Sequence, residues 1–84
     1  MEIIKTTKKV YKVLDITREP FMKFETFRGA REHIGLSVQR TCFNCHKKFI
    51  DADNIYLAIT TGGNKLLCEE CAKLAIKDLD SNRG

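Results

Sequence analysis

Residues that favour β-strands dominate the first part of the 84-residue chain, on both sides of its only proline. Residues 8–16 are rich in β-branched and aromatic side chains, and residues 21–27 alternate imperfectly around three phenylalanines. Because residues 17–20 end in Pro20 and have turn character, the pattern predicts an antiparallel hairpin with one strand on each side of that turn. Apolar residues then recur at helical spacing over residues 26–34, and Gly35 is placed to end a short helix.

The second part of the chain predicts another hairpin and a longer helix. Residues 55–60 alternate as a half-buried strand does, and residues 65–67 are the returning strand. Thr61-Gly62-Gly63-Asn64 is the turn between them, since glycine accepts the positive φ of tight hairpin turns. After residue 71 the apolar period becomes helical, and the predicted buried face consists of Ala72, Ala75, Ile76 and Leu79.

Four cysteines in two C-x-x-C pairs carry the most specific chemical signal. Cys42 and Cys45 form the first pair, Cys68 and Cys71 form the second, and the chain has no other cysteine. Two such pairs predict one four-thiolate zinc site, because zinc prefers four soft ligands in a tetrahedron. Two disulfides or a thioredoxin-like redox pair are the alternatives. The first belongs to oxidising compartments, and the second leaves one pair unexplained.

The remaining composition favours a reduced setting, in which thiols are free to bind metal. The chain opens without an apolar signal core behind a basic start, and no stretch approaches the roughly 18 apolar residues of a membrane helix. We therefore expect a cytoplasmic protein with no membrane partner. A chain this short buries only a modest core, so a structural zinc ion, which contributes roughly 10–16 kcal/mol near neutral pH, is expected to be a condition of folding.

The order of elements around the cysteines resembles a treble-clef zinc finger over roughly residues 38–80. Residues 38–41 are a predicted strand that leads into the first pair, and residues 46–50 are a predicted returning strand that leads out of it. Residues 42–45 between them form a metal-binding turn that we call the knuckle. The hairpin follows, and the second pair opens the helix. The resemblance implies an α+β domain in which knuckle, β-hairpin and C-terminal helix surround the metal.

The resemblance also implies a position for each ligand. Cys42 and Cys45 are the expected knuckle ligands, Cys68 is expected at the end of the second hairpin strand, and Cys71 in the first helical turn. A zinc ribbon is the alternative, in which the second pair leads into another strand, but the helical run over residues 72–79 disfavours it. The whole chain is predicted to be one α+β domain. Its parts are a β-rich basic segment over residues 1–37 with an N-terminal hairpin and a short helix, the zinc module over residues 38–80, and a frayed tail over residues 81–84.

No catalytic apparatus is recognisable, so we expect a protein that is not an enzyme. Four cysteines complete a closed zinc site without an open position for water. Treble-clef nucleases need a histidine on the hairpin, and residues 55–67 contain none. The H-x-E element of the zinc deaminases is also missing. His46 replaces a glycine that often follows such knuckles, and we expect it to accommodate positive φ. His33 is expected at the helix surface.

The net positive charge of the chain lies in its first half. Residues 1–41 hold nine Lys and Arg against five Asp and Glu, whereas residues 42–84 hold six of each. Solvation of an ordinary surface would explain this surplus, and so would contact with phosphates. The lysines of residues 5–12 fall on both sides of a predicted strand, which is unlike the single stripe of a nucleic-acid footprint.

Two binding hypotheses follow from these patterns. In the first, which the basic half of the chain favours, the protein binds nucleic acid or a nucleic-acid-bound assembly through its basic N-terminal half. In the second, it is an adaptor or inhibitor that docks on a protein through Phe43, the hairpin tip or an exposed strand edge. Phe43 has a further interpretation, as a shield of the zinc from water. The candidate binding residues are Lys5, Lys8, Lys9, Lys12, Arg28, Arg31, Arg40, Phe43, Lys47 and Lys48.

Overall fold

The computed structural model describes residues 2–6 and 9–81, and it has the predicted α+β architecture. Within these residues, five strands and two helices follow one another along the chain. They are β1 (Glu2–Thr6), β2 (Lys9–Ile16), β3 (Met22–Lys23), α1 (Phe24–His33), β4 (Asn54–Thr60), β5 (Gly63–Cys68) and α2 (Glu69–Ser81).

β4 is the strand on which the sheet is built. β5 pairs with it antiparallel, from Ile55 opposite Cys68 to Thr60 opposite Gly63, which confirms the predicted second hairpin. The other edge of β4 pairs antiparallel with β2 and then with β3. β1 extends the sheet beyond β2, also antiparallel.

The prediction of a hairpin across Pro20 is wrong. β2 and β3 do not pair with each other, and both run in the same direction along one edge of β4. The Thr17 amide still donates to the Leu57 carbonyl at 3.1 Å, and the Phe21 amide donates to the Ile55 carbonyl at 2.8 Å. Only residues 18–20 leave this edge, because a proline interrupts a strand without obliging the chain to reverse.

The N-terminal hairpin consists instead of β1 and β2, with Ile4 opposite Val10. The sequence pattern treated residues 5–12 as part of a single strand. In the structure, Lys5 lies on β1, and Lys9 and Lys12 lie on β2. The basic side chains of this region therefore belong to two neighbouring strands.

Helix α1 begins earlier than the pattern predicted. Strand character over residues 21–27 is limited to β3, and Phe24 opens the helix with its amide donating to the Asp53 carbonyl at 2.8 Å. Phe24 is buried, and its ring lies 5.4 Å from that of Phe49, measured between centroids. Gly35 follows the helix with a φ of 74°, as expected of a glycine that ends a helix.

Helix α2 packs on β2, β4 and β5. Ala72 and Ala75 are fully buried, and their small side chains let the helix approach the sheet closely. The core also takes in three aliphatic residues of the N-terminal hairpin, which are Ile3, Val13 and Ile16. The predicted tail is helical at Ser81, and residues 82–84 lie outside the described part of the chain. Neither described helix is long and apolar enough to span a membrane.

Candidate metal centre

The knuckle is folded by main-chain hydrogen bonds. The His46 amide donates to the Cys42 carbonyl at 3.0 Å, and the Cys42 amide donates to the Lys47 carbonyl at 2.8 Å. Thr41 and Lys48 form an isolated β-bridge rather than the longer strands predicted on either side. His46 has a φ of 65°, so it occupies the left-handed conformation predicted for it.

The second cysteine pair lies at the junction of hairpin and helix. Cys68 is the last residue of β5, and Cys71 is the third residue of α2. Both positions agree with those expected from the sequence. Cys42, Cys68 and Cys71 are buried, whereas Cys45 is exposed. Three ligands are thus held within the core, and one faces the surface.

The four sulfur atoms lie within 4.8 Å of one another. The Sγ atoms of Cys45 and Cys68 are 3.7 Å apart. A zinc tetrahedron with sulfur bonds of about 2.3 Å has edges of about 3.8 Å, so this spacing fits a single ion at the centre. The same spacing is far beyond the roughly 2.05 Å of a disulfide, and all four cysteines are free. The group could therefore coordinate one zinc ion.

N–H donors of the main chain and of one side chain point at the sulfurs. The Cys68 amide donates to Cys42 Sγ at 3.4 Å, and Asn44 Nδ2 donates to Cys71 Sγ at 3.4 Å. Such donors favour the thiolate form and orient the ligand, as groups surrounding a metal commonly do. Asn44 was not among the predicted site residues, although an amide between the two cysteines of a C-x-x-C pair is a signal that the sequence contained.

Burial and hydrogen bonding act on the thiols in opposite directions. Burial raises the pKa of Cys42, but main-chain donors from Cys45, Cys68 and Asn44 outweigh it and lower that pKa to about 7. Burial raises the pKa of Cys68 and of Cys71, and the Asn44 hydrogen bond only partly offsets the effect at Cys71. A cation at the centre supplies the charge that keeps such buried thiolates ionised.

The Phe43 side chain joins the knuckle to the N-terminal hairpin. Its ring meets that of Tyr11 edge to face, with centroids 5.0 Å apart and an interplanar angle of 82°. Lys5 Nζ lies 4.0 Å from the Phe43 ring centroid and donates to the Phe43 carbonyl. Lys65 Nζ lies 5.2 Å from the same centroid. Phe43 and Lys5, predicted as binding residues, are thus brought together, along with Tyr11, which the sequence did not single out.

The segment before the knuckle is fixed to the outer edge of β5. Gln39 Oε1 accepts from the Leu66 amide at 3.0 Å, and Gln39 Nε2 donates to the Leu66 carbonyl at 2.9 Å. The Phe43 amide donates to the same carbonyl at 3.0 Å. A strand edge that would otherwise be open is covered, and the knuckle is held against the hairpin that carries Cys68.

The predicted arginines have local partners. Arg28 forms ion pairs with Asp51 at 3.2 Å and Glu32 at 3.3 Å, and Arg40 pairs with Glu32 at 3.0 Å. Arg31 donates instead to the Ser37 carbonyl, and its guanidinium lies 5.4 Å from the centroid of a phenylalanine ring in α1. Arg28 and Arg40 therefore have their charge offset, whereas Arg31 forms no ion pair within residues 2–6 and 9–81.

The predicted lysines do not form one cluster. Lys9, Lys12, Lys47 and Lys48 are exposed, and none forms an ion pair with another described residue. The first two lie on β2 and the other two follow the knuckle. Lys8 lies outside the described residues.

Comparison of the chain with protein-family models, with curated proteins and with solved structures gives no match. The assignment of the site therefore rests on the cysteine cluster, whose four sulfurs could coordinate a single zinc ion.

Proposed function

We propose that the chain is a small non-enzymatic binding module in which a structural zinc ion, held in a treble-clef arrangement, supports a nucleic-acid-binding surface. The order of knuckle, β4–β5 hairpin and α2 supports that arrangement, as does the position of Cys68 and Cys71 at the hairpin–helix junction. Four free thiols also suit a reducing cytoplasmic location.

A purely structural metal is supported by the ligand set. Four sulfurs use all four positions of a tetrahedral zinc ion, so none is left for a reactive water. The two histidines have ordinary roles that account for them. His46 adopts positive φ beside the knuckle, and His33 is an exposed residue of the last turn of α1.

Nucleic-acid binding is supported by one observation above the rest. Lys9, Lys12, Lys47 and Lys48 are exposed without an ion pair among the described residues, while the carboxylates of Asp51 and Glu32 are engaged by arginines. Unpaired lysines are the groups that displace condensed counterions from phosphates. These four lysine charges are therefore available to an anionic polymer.

The test is fluorescence anisotropy with mixed-sequence DNA and RNA at several salt concentrations. Log affinity should fall with log salt by roughly 0.9 per duplex phosphate neutralised. Replacing Lys9 and Lys12 together by Gln should weaken binding, whereas the same change at Lys73 and Lys77, two exposed lysines of α2, is the charge-matched control. Absence of binding at low salt would remove this function.

A protein adaptor is the second candidate, and exposed apolar side chains favour it. Ile4 is 69% exposed and lies opposite Val10, which is 47% exposed, and Leu14 is 58% exposed. Capture of a protein partner that binds through these residues would persist after nuclease treatment of a lysate and would be lost in the double variant Ile4→Ser with Leu14→Ser. Its affinity would change little with salt, which separates it from phosphate binding.

A further inference from the structure

A groove of about 650 Å³ lies between α1, the segment before the knuckle and the β4–β5 hairpin. Its floor includes Leu57 and Leu66, which face each other across the hairpin. Three phenylalanines contribute to its walls, and Phe21 is 41% exposed. Arg31, Asn64 and Lys65 also line the groove.

The charges of the groove have one sign. Arg31 and Lys65 line it, and among the described residues no carboxylate does. Each cation lies over a ring of the wall, with Arg31 5.4 Å from the Phe27 centroid and Lys65 5.2 Å from the Phe43 centroid. An occupant with a flat apolar part and a negative charge therefore matches both the rings and the cations.

We propose that this groove binds unpaired bases of a single-stranded nucleic acid, with Arg31 and Lys65 contacting the flanking phosphates. The inference rests on the proposed nucleic-acid function and adds to it the class of nucleic acid and the place of contact. Every base has a π-face that stacks on an aromatic ring, whereas the bases of a duplex are already stacked and paired. The exposed ring of Phe21 is the stacking surface, and the amide of Asn64 is placed to contact a base edge.

The groove also explains why the free cations lie apart from one another. A duplex presents phosphates at fixed spacing and suits a stripe of lysines, whereas a flexible single strand follows a path between scattered cations. Lys5, which lies 4.0 Å from the Phe43 centroid, supplies a further cation next to the groove. The strand would pass from the groove toward β1 and β2, where Lys9 and Lys12 are exposed.

The experiment uses the full zinc-loaded chain and fluorescence anisotropy with a labelled oligothymidine, the same strand in a duplex, and an abasic strand of equal length. The single strand should bind more tightly than the duplex and the abasic strand. Phe21→Ala should weaken single-strand binding about 5- to 150-fold, the range measured for loss of one base–aromatic stack. Its matched control is Leu74→Ala, which removes a 59% exposed apolar side chain from α2. Arg31→Gln and Lys65→Gln should reduce the salt dependence by about 0.7 per phosphate lost, with Lys77→Gln as control.

The outcomes separate the two proposals. Equal affinity for single strand, duplex and abasic strand, with an effect of Lys9→Gln and Lys12→Gln but none of Phe21→Ala, would overturn the groove inference and leave the proposed function standing. No binding of any oligonucleotide at low salt would overturn both. A labelled peptide of alternating Glu and Phe that binds more tightly than oligothymidine, and loses binding on Phe21→Ala, would replace the nucleic acid with a protein occupant. Zinc content and melting temperature are measured for every variant, and the abasic strand tests base stacking even if Phe21→Ala proves unstable.

Discussion

Asn44 offers the sharpest test of the metal centre, because its side chain contacts one sulfur without being a ligand. Asn44 Nδ2 donates to Cys71 Sγ at 3.4 Å. Asn44→Ala removes this donor and leaves all four cysteines in place. We expect the variant to fold around zinc and to bind the ion more weakly, because the thiolate of Cys71 loses a hydrogen bond that stabilises its charge.

Two arguments give the size of the expected loss of zinc affinity. A hydrogen bond to a charged group contributes about 1.5–3 kcal/mol, and each 1.4 kcal/mol is a factor of ten in affinity. Loss of a group that supports a metal ligand typically costs about 10- to 100-fold in metal affinity. Sulfur is a weak acceptor, so we expect the lower part of that range, about 10-fold. Asn44→Asp should cost more, because it replaces the donor with a negative charge beside thiolates.

Competition with a chromophoric zinc chelator at neutral pH measures this change directly. Asn64→Ala is the matched control, since Asn64 is an exposed residue of β5 and donates no hydrogen bond to a cysteine sulfur within the described part of the chain. The reasoning is refuted if Asn44→Ala binds zinc as tightly as the unchanged protein, or if Asn64→Ala weakens binding equally.

Three further predictions concern the ligand and neighbour of the metal site, two glycines, and the metal itself. Cys71→Ser removes a ligand and should lower zinc affinity by more than the about 10- to 100-fold that is lost with a group supporting a ligand. His46→Gly should keep both zinc binding and stability, because glycine accepts positive φ. Chelator competition and thermal melts of both variants test these expectations. Gly62→Ala would place Cβ 2.0 Å from the Tyr11 ring and should destabilise the protein by about 1–3 kcal/mol. Gly29→Ala has open space around its Cβ and should stabilise α1 by about 0.5–1 kcal/mol. Chemical denaturation that changes the free energy of unfolding in the same direction for both variants would contradict this reasoning. Removal of zinc with a strong chelator should abolish the helical circular dichroism of α2. The reason is that a structural zinc site contributes roughly 10–16 kcal/mol, which matches or exceeds the about 5–15 kcal/mol stability of a whole domain. An unchanged spectrum would show that the fold is stable without the metal.

The candidate site was largely accessible from the sequence because its signals are local. The spacing within each C-x-x-C pair fixes a tight turn, and the helical period that follows Cys71 places that residue in the first turn of α2. The left-handed backbone at His46 follows from the same turn geometry. Asn44 was missed because a polar residue inside such a pair does not reveal whether its amide points to a sulfur or to solvent.

The sequence by itself determined the second hairpin, the two helices and the candidate ligands, because alternating β-formers, a period of 3.6 and two cysteine pairs are local signals. Tertiary structure alone decided which strands pair. A turn that contains proline is compatible with a reversal of the chain and with a detour along one strand edge. The choice was made by β4, which lies about 30 to 40 residues further along the chain and offers one edge to both β2 and β3. Tertiary structure also decided the partner of Arg28. Arg28 and Arg31 lie three residues apart in one helix, yet only Arg28 pairs with a carboxylate from outside that helix. Asp51 is 23 residues further along the chain and reaches Arg28 only because the segment before β4 packs beside α1, whereas Arg31 lies over the Phe27 ring of its own helix.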